Sequence, residues 1–162
     1  EDIEDNDVTQ FMIEQLRRFP GIGHRLTLEI LESEGVGNYE QLQHFVIKIR
    51  KFGCSIAIDD YGTGYSNLQH LINLDIDSLK LDGSLVKPIL TDSNSKLAIK
   101  AIADLAHDLG ISQTIAEFVG SEEILDAVMA AGIGNSQGFL IGPPRDHLIE
   151  QPDFLAVKKE SA

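Results

Sequence analysis

Residues 54–64 read CSIAIDDYGTG, an apolar run that ends in two aspartates and a glycine-containing loop. A short apolar run followed by glycines is typical of a buried strand that ends in a turn. Neighbouring strand residues point to opposite faces, so Asp59 and Asp60 can reach one site only if the chain turns here. Gly62 and Gly64 allow such a turn. Because an aspartate before a loop is often only turn chemistry, the pair needs support from the rest of the chain.

The same unit, a helix followed by a strand with a polar end, repeats along the chain. Apolar residues at helical spacing precede each strand pattern, and glycines end most of the helices. The predicted strands cover residues 26–30, 54–58, 78–82, 114–118 and 137–140. Such alternation predicts parallel strands joined by helical crossovers, and hence an α/β fold, either a barrel or an open doubly wound sheet.

Polar side chains collect at the carboxyl ends of the predicted strands. In both architectures, ligands gather at this edge of the sheet. The polar residues are Glu29, Asp59, Asp60, Lys80, Asp82, Glu117 and Gln137. Carboxylate and carboxamide oxygens are hard ligands that suit Mg²⁺ or Mn²⁺, and two such ions suit phosphodiester cleavage.

Several of these residues also have a purely structural interpretation. Lys80 and Asp82 lie two positions apart on one strand face, so they can form a buried salt bridge. Glu117 can be a capping carboxylate for the helix that follows it. Glu29 and Glu32 can be an exposed acidic pair. The residue types alone therefore leave both interpretations open.

A dinucleotide-binding interpretation of residues 58–64 is disfavoured. A Gly-x-Gly pattern does follow a strand and precede a helix, as that fold requires. However, Asn67 stands where the fingerprint needs Gly or Ala, and the two aspartates would oppose a pyrophosphate.

Composition limits the class of protein. The chain has 162 residues, 43% hydrophobic and 24% charged, as in a single globular domain. Its formal net charge of −13 would repel a phosphate backbone, so no DNA or RNA polymer is expected as a partner. No apolar run approaches the roughly 20 residues that span a bilayer, so no membrane contact is expected from this segment. The single Cys54 favours a reducing compartment, and hence a cytoplasmic protein.

Five stretches of the sequence together suggest a family. Residues 28–32 read LEILE, 58–68 read IDDYGTGYSNL, 79–82 read LKLD, 116–120 read AEFVG, and 136–144 read SQGFLIGPP. In this order they resemble the LEITE, IDDFGTGYSSL, LKID, AEGVE and QGY…GKP motifs of the EAL-domain family. Members of that family are bacterial enzymes that hydrolyse cyclic di-GMP to the linear dinucleotide pGpG. A single motif would be weak, but five in the right order are specific.

The resemblance covers roughly residues 8–145 and implies a TIM-like (β/α) barrel of EAL type. Only the last five of the family's eight strands are present in this chain. We therefore predict an acidic leader over residues 1–7, a partial EAL domain over 8–157 and a polar tail over 158–162. The opening strands would carry the Glu of the E-A-L signature, a substrate-contacting Arg and a metal-binding Asn. Without them, residues 1–162 are expected to be inactive, and either to associate through open sheet edges or to depend on the missing strands.

The resemblance also implies a role for each matched residue. Glu29 and Asp59 would bind the first of two Mg²⁺ or Mn²⁺ ions. Asp59 would bridge to the second ion, which Asp60 would bind. Glu117 would be a metal-proximal ligand or general base, and Lys80 would orient and help to activate the attacking water.

Three further residues would support this site. Asp82 and Gln137 would assist Lys80 and the metal-bound water. Glu32 would steady the loop bounded by Tyr61 and Tyr65, which in the family lies near a dimer contact. The resemblance therefore implies a homodimer through this region, and an upstream segment of the full-length protein could tether it to a membrane.

Two functions from different classes remain open. The first is a metal-dependent cyclic di-GMP phosphodiesterase in bacterial second-messenger signalling, which the retained carboxylates and Lys80 favour. The second is a catalytically silent EAL module that binds the nucleotide or a protein partner. The family's usual Gly is replaced by Phe118 and its second Glu by Gly120. The loss of that Glu favours the silent module.

Overall fold

The computed structural model describes residues 6–32, 39–63 and 68–146. The helices are α1 (Asn6–Arg18), α2 (Tyr39–Arg50), α3 (Leu68–Asn73), α4 (Gly83–Val86), α5 (Ser93–Asp108) and α6 (Glu122–Ala130). The strands are β1 (Thr27–Leu31), β2 (Ser55–Tyr61), β3 (Ser78–Leu81), β4 (Gln113–Ala116) and β5 (Asn135–Ser136). Two 3₁₀ turns cover Ile22–Arg25 and Lys87–Leu90. None of these helices is long and apolar enough to cross a membrane.

The strands form one five-stranded sheet in the order β1-β2-β3-β4-β5. β1 runs parallel to β2, with Leu31 opposite Asp59. β4 runs parallel to β5, with Ala116 opposite Ser136. Parallel strands that follow one another along the chain need crossover connections, and the helices between them provide these. The α/β architecture with parallel strands is therefore confirmed.

The chain divides into two compact units, Glu1–Leu79 and Lys80–Ala162. In the first unit, the apolar side of β1 and β2 is fully enclosed: Ile30 is 1% exposed, and Ile56 and Ile58 are 0% exposed. The apolar stripe predicted for α2 is buried as well, including Leu42 and Ile49. Burial of these side chains fixes which residues of β1 and β2 face away from this core.

In the second unit, side-chain caps set the starts of the two long helices. The Oδ1 atom of Asp92 accepts a hydrogen bond from the Asn94 amide at 2.9 Å, and α5 begins there. The hydroxyl of Ser121 accepts one from the Ile124 amide at 3.3 Å at the start of α6. Such caps satisfy amides that lack a partner in the first helical turn. The interpretation of Glu117 as the cap of α6 is therefore wrong, because Ser121 takes that position.

The predicted strand over residues 137–140 is wrong, because β5 covers only Asn135–Ser136. After β5, the amides of Ile141 and Gly142 both donate to the Gly138 carbonyl, at 3.0 and 3.1 Å, so the chain makes a tight turn. Gly138 also lies against the neighbouring backbone, where an added Cβ would be 2.3 Å from the Val119 carbonyl oxygen. The backbone of this segment therefore makes a glycine-dependent close approach instead of pairing as a strand.

Two predicted strand ends also move. The strand predicted over 78–82 ends at Leu81, because Asp82 leaves the sheet to cap α4, a short helix that the sequence pattern did not predict. The strand predicted over 114–118 is β4, which ends at Ala116. Phe118, two residues after the end of β4, has a φ of 56°, in the left-handed region that is uncommon for a bulky residue.

Candidate functional site

The aspartate pair at the end of β2 is brought together by an unusual backbone conformation. Asp60 has φ 56°, in the left-handed region that aspartate tolerates better than most residues. This breaks the alternation of side chains along β2, so that one carboxylate oxygen of Asp59 lies within 4.8 Å of one of Asp60. The predicted turn at this pair is confirmed. Asp60 itself turns the chain, followed by Gly62 at φ 105°, while Gly64 lies outside the described residues.

A buried glutamate supports this turn. Glu32 is 1% exposed, and its amide donates to the Asp59 carbonyl at 3.0 Å. Its Oε2 atom accepts a hydrogen bond from the Gly62 amide, also at 3.0 Å. Between these two contacts, the Asp60 amide donates to Oδ1 of Asp59 at 3.0 Å. The conformation of the segment from Asp59 to Gly62 is thus held by Glu32 on both sides of the aspartate pair.

Glu29 lies on the same face of the sheet as Asp59. Glu29 is opposite Ala57 in the register, and Leu31 is opposite Asp59. Residues in register share a face and successive residues alternate, so Glu29 and Asp59 share one side, offset by two residues or about 7 Å along the strands. Glu29 is exposed on β1, on the side of the sheet where Asp59 projects.

In the second unit, Lys80 and Glu117 form a buried ion pair. Their Nζ and Oε1 atoms are 3.2 Å apart, and the two residues are only 7% and 8% exposed. The Glu117 amide donates to the Leu81 carbonyl at 3.1 Å, which fixes the backbone beside the pair. The alternative of a buried Lys80–Asp82 salt bridge is therefore wrong, since the buried partner of Lys80 is Glu117. Ionisable groups buried together at strand ends are typical of functional sites.

Asp82 caps α4. Its Oδ1 atom accepts a hydrogen bond from the Ser84 amide at 2.8 Å. Partial burial raises the pKa of the Asp82 carboxyl, but hydrogen bonds from Ser84 and Gly83 and the charge of Lys87 outweigh burial, so its pKa lies below the ordinary value. Asp82 therefore stabilises the fold as an anion.

This depressed pKa predicts a pH dependence of stability. The contribution of Asp82 is present above the pKa of the unfolded carboxyl and is lost as pH falls through the lower pKa of the folded state. Asp82→Asn keeps a capping oxygen but cannot titrate. In urea unfolding, we expect the wild-type protein to exceed this variant in unfolding free energy at about pH 6 and to lose that excess progressively as pH falls below about 4. A difference in unfolding free energy between the two proteins that does not change with pH would contradict the lowered pKa of Asp82.

Glu117 also borders an open pocket of about 460 Å³ in the second unit. The pocket is lined by Glu117, Phe118, Gln137, Gly138, Phe139, Gly142, Pro143 and Pro144. The backbone amide of Gln137 donates a hydrogen bond to the Ala116 carbonyl at 2.8 Å. The backbone carbonyl of Gln137 accepts a hydrogen bond from the Val119 amide at 3.0 Å. These backbone bonds hold the predicted residue Gln137 at the pocket, whose size falls in the roughly 300–1,000 Å³ range of small-molecule sites.

The sequence pattern did not single out the aromatic and proline residues of this pocket as site residues. Phe118, Phe139, Pro143 and Pro144 were noted only as parts of motifs. One sequence signal was present, since Phe118 directly follows Glu117 at a position where the family usually has Gly.

The sequence of this chain was compared with those of known protein families. The profile of the EAL domain family matches residues 1–144. The chain belongs to the EAL domain family. The predicted resemblance is thereby confirmed, and so is the EAL type of barrel, because the solved structures that this chain resembles include EAL proteins.

Three known proteins illustrate the similarity. "Cyclic di-GMP phosphodiesterase PdeF" of Escherichia coli K12 is 38% identical over 138 residues, which are 85% of this EAL chain and 18% of PdeF. The structure of the PaMucR phosphodiesterase in complex with c-di-GMP is 28% identical with a TM-score of 0.79, over 88% of this chain and 57% of that one. Klebsiella pneumoniae BlrP1, solved with manganese or calcium and cy-diGMP, is 27% identical with a TM-score of 0.78, over 88% of this chain and 36% of that one. The chain thus spans less than a fifth of PdeF.

Proposed function

We propose that the protein containing this EAL chain is a metal-dependent phosphodiesterase that hydrolyses cyclic di-GMP to linear pGpG in bacterial second-messenger signalling. The observation that carries the proposal is the aspartate pair at the end of β2, whose carboxylate oxygens lie within 4.8 Å of each other. Two carboxylates held this close offer hard oxygen ligands to one cation. PdeF, which resembles this chain, is a cyclic di-GMP phosphodiesterase, and BlrP1 was solved with manganese and the nucleotide.

The donor chemistry of the strand-end residues fits two Mg²⁺ or Mn²⁺ ions. Carboxylate oxygens are the protein ligands that these hard cations prefer. In our proposal, Glu29 and Asp59 would hold one ion, Asp60 would hold the other, Asp59 would contribute to both, and Glu117 would be a metal-proximal ligand. When bound, such ions polarise the phosphate, lower the pKa of a water between them and offset the repulsion between an anionic substrate and a chain of charge −13.

Lys80 and Glu117 act on the attacking water in this proposal. The Lys80 ammonium is almost fully enclosed and is fixed by Glu117, so it offers a directed donor in a low-dielectric place. It orients the water towards phosphorus, and a Glu117 carboxylate oxygen receives the proton that the water loses. Asp82 supports Lys80 by fixing the end of β3 through its cap on α4, and Gln137 lies beside Glu117 at the pocket.

Three further parts of the proposal rest on the same relatives and on the sequence. Glu32 steadies the loop that starts at Tyr61 through its hydrogen bond to the Gly62 amide. The homodimer contact predicted near Tyr61 and Tyr65 stays a prediction, because residues 64–67 lie outside the described part of the chain. We place the protein in the cytoplasm, as the single cysteine suggests; Cys54 is a buried free thiol.

Removal and return of metal tests the proposed activity. The full-length protein is incubated with cyclic di-GMP, and linear pGpG is separated by chromatography. We expect hydrolysis with Mn²⁺ or Mg²⁺, none after chelation, and recovery when the metal is restored. Tight nucleotide binding without any product would contradict the enzymatic proposal and favour the silent EAL module.

A further inference from the structure

Phe118 is a departure of this chain from the usual family sequence, and it occupies a costly conformation. The family usually has glycine at this position, where a left-handed backbone is free of strain. Here a phenylalanine adopts φ 56° and leaves its side chain 51% exposed. A bulky residue in this region is an outlier. Backbone strain of this kind persists where the side chain has a use that the surrounding structure enforces.

The ring of Phe118 is held from one side. Nζ of Lys87 lies 4.2 Å from the ring centroid, in the geometry of a cation–π contact. Gly83 approaches so closely that an added Cβ there would be 2.6 Å from a ring carbon and 3.0 Å from Cε of Lys87. Gly83 and Lys87 are four residues apart on consecutive helical turns, so one short segment supplies both contacts to the ring.

The exposed remainder of the ring borders the pocket described above. Phe139 and Pro143 add further apolar walls, while Glu117 supplies a polar group. A planar aromatic ring held against a rigid support is suited to stacking against a nucleobase, because every base has a π-face. Lys87 is exposed, and its contact with the ring places a positive charge beside a residue that lines the pocket, in a strongly acidic chain.

We propose that Phe118 is a substrate-binding residue that stacks on one purine base of the cyclic dinucleotide, with Gly83 and Lys87 holding its ring in place. This inference rests on the proposed function for the identity of the ligand. It assigns to this chain a contact that relatives with glycine at this position cannot make. Its consequence is tighter substrate binding with little change in the chemical step, since stacking is the same in the ground state and in the transition state.

The test compares four forms of the full-length protein with cyclic di-GMP as the probe. Phe118→Gly removes the ring and suits the left-handed backbone, so the variant is expected to fold. Phe118→Tyr keeps the ring. Met129→Ala is a matched control, because Met129 is 61% exposed on α6 and does not line the pocket. The Kd is measured with Ca²⁺ by calorimetry, and kcat and KM with Mn²⁺.

We expect Phe118→Gly to raise both Kd and KM about tenfold with little change in kcat. Phe118→Tyr and Met129→Ala should bind like the wild type. An unchanged Kd in Phe118→Gly, or an equal rise in Met129→Ala, would overturn the inference. A wild-type protein that binds but does not hydrolyse the nucleotide would overturn the proposed catalysis alone, because the Kd values still decide the role of Phe118. A wild type that binds no cyclic di-GMP would overturn both.

Discussion

Lys80→Ala is expected to lower kcat for cyclic di-GMP hydrolysis by about 10²–10⁴-fold while leaving the Kd for the nucleotide nearly unchanged. The reason is that Lys80 is assigned to the attacking water and not to the bound substrate. An interaction made chiefly in the transition state affects turnover and not ground-state binding. The measurement is steady-state hydrolysis with Mn²⁺, together with calorimetric binding on the same preparation.

The burial of Lys80 demands a control for stability. The Lys80 and Glu117 side chains are 9% and 10% exposed, so deleting the ammonium removes a charge partner of a buried carboxylate, which can cost about 3–5 kcal/mol. Lys80→Arg keeps a positive charge beside Glu117. It should unfold near the wild-type temperature and still turn over slowly, because the guanidinium cannot place its donors where the ammonium does. Equal losses of turnover and binding in the folded Lys80→Ala protein would remove the assigned role.

Asp59→Asn is expected to weaken Mn²⁺ binding at both proposed positions, whereas Asp60→Asn should weaken it at one. A bridging carboxylate contacts both cations, so its replacement by a neutral amide removes charge from both. Asparagine also tolerates the left-handed region, so Asp60→Asn should preserve the φ of 56° that shapes the turn. Calorimetric titration with Mn²⁺ should therefore show a larger loss for Asp59→Asn.

The reverse ranking would show that Asp59 does not bridge. Glu40→Gln provides a matched control, since it removes one acidic charge from the first turn of α2 and leaves the aspartate pair intact. If Glu40→Gln weakened Mn²⁺ binding as much as Asp59→Asn, the effect would be one of net charge and not of direct ligation.

The alternation of helices and strands could be predicted because each element carries a local signal. Residues 54–58 form an apolar run, and the stripe of α2 repeats at helical spacing, so β2 and α2 were recognised from short windows. The turn at Asp59 and Asp60 followed from strand geometry alone, because two adjacent side chains could not otherwise share a site. The family motifs then supplied roles for these residues.

Pairings between distant residues could not be read from local patterns. The sequence offered Asp82, two positions away, as a partner for Lys80. The structure instead pairs Lys80 with Glu117, which directly follows β4. The capping role of Asp82 depends on α4, which is too short to produce a periodic signal. The strand predicted over residues 137–140 was wrong for the same reason. The local sequence does not reveal that Gly138 approaches the backbone of Val119, which lies outside the window.

The central claim is that residues at these strand ends direct water onto the phosphorus of cyclic di-GMP. Hydrolysis by the full-length protein in ¹⁸O-labelled water with Mn²⁺ tests it most directly, with mass spectrometry of the product. Water attacks phosphorus and the bond to the 3′ oxygen breaks, so the account predicts linear pGpG with one ¹⁸O in its terminal phosphate. Recovery of intact cyclic di-GMP alone, or of pGpG without the label, would contradict it.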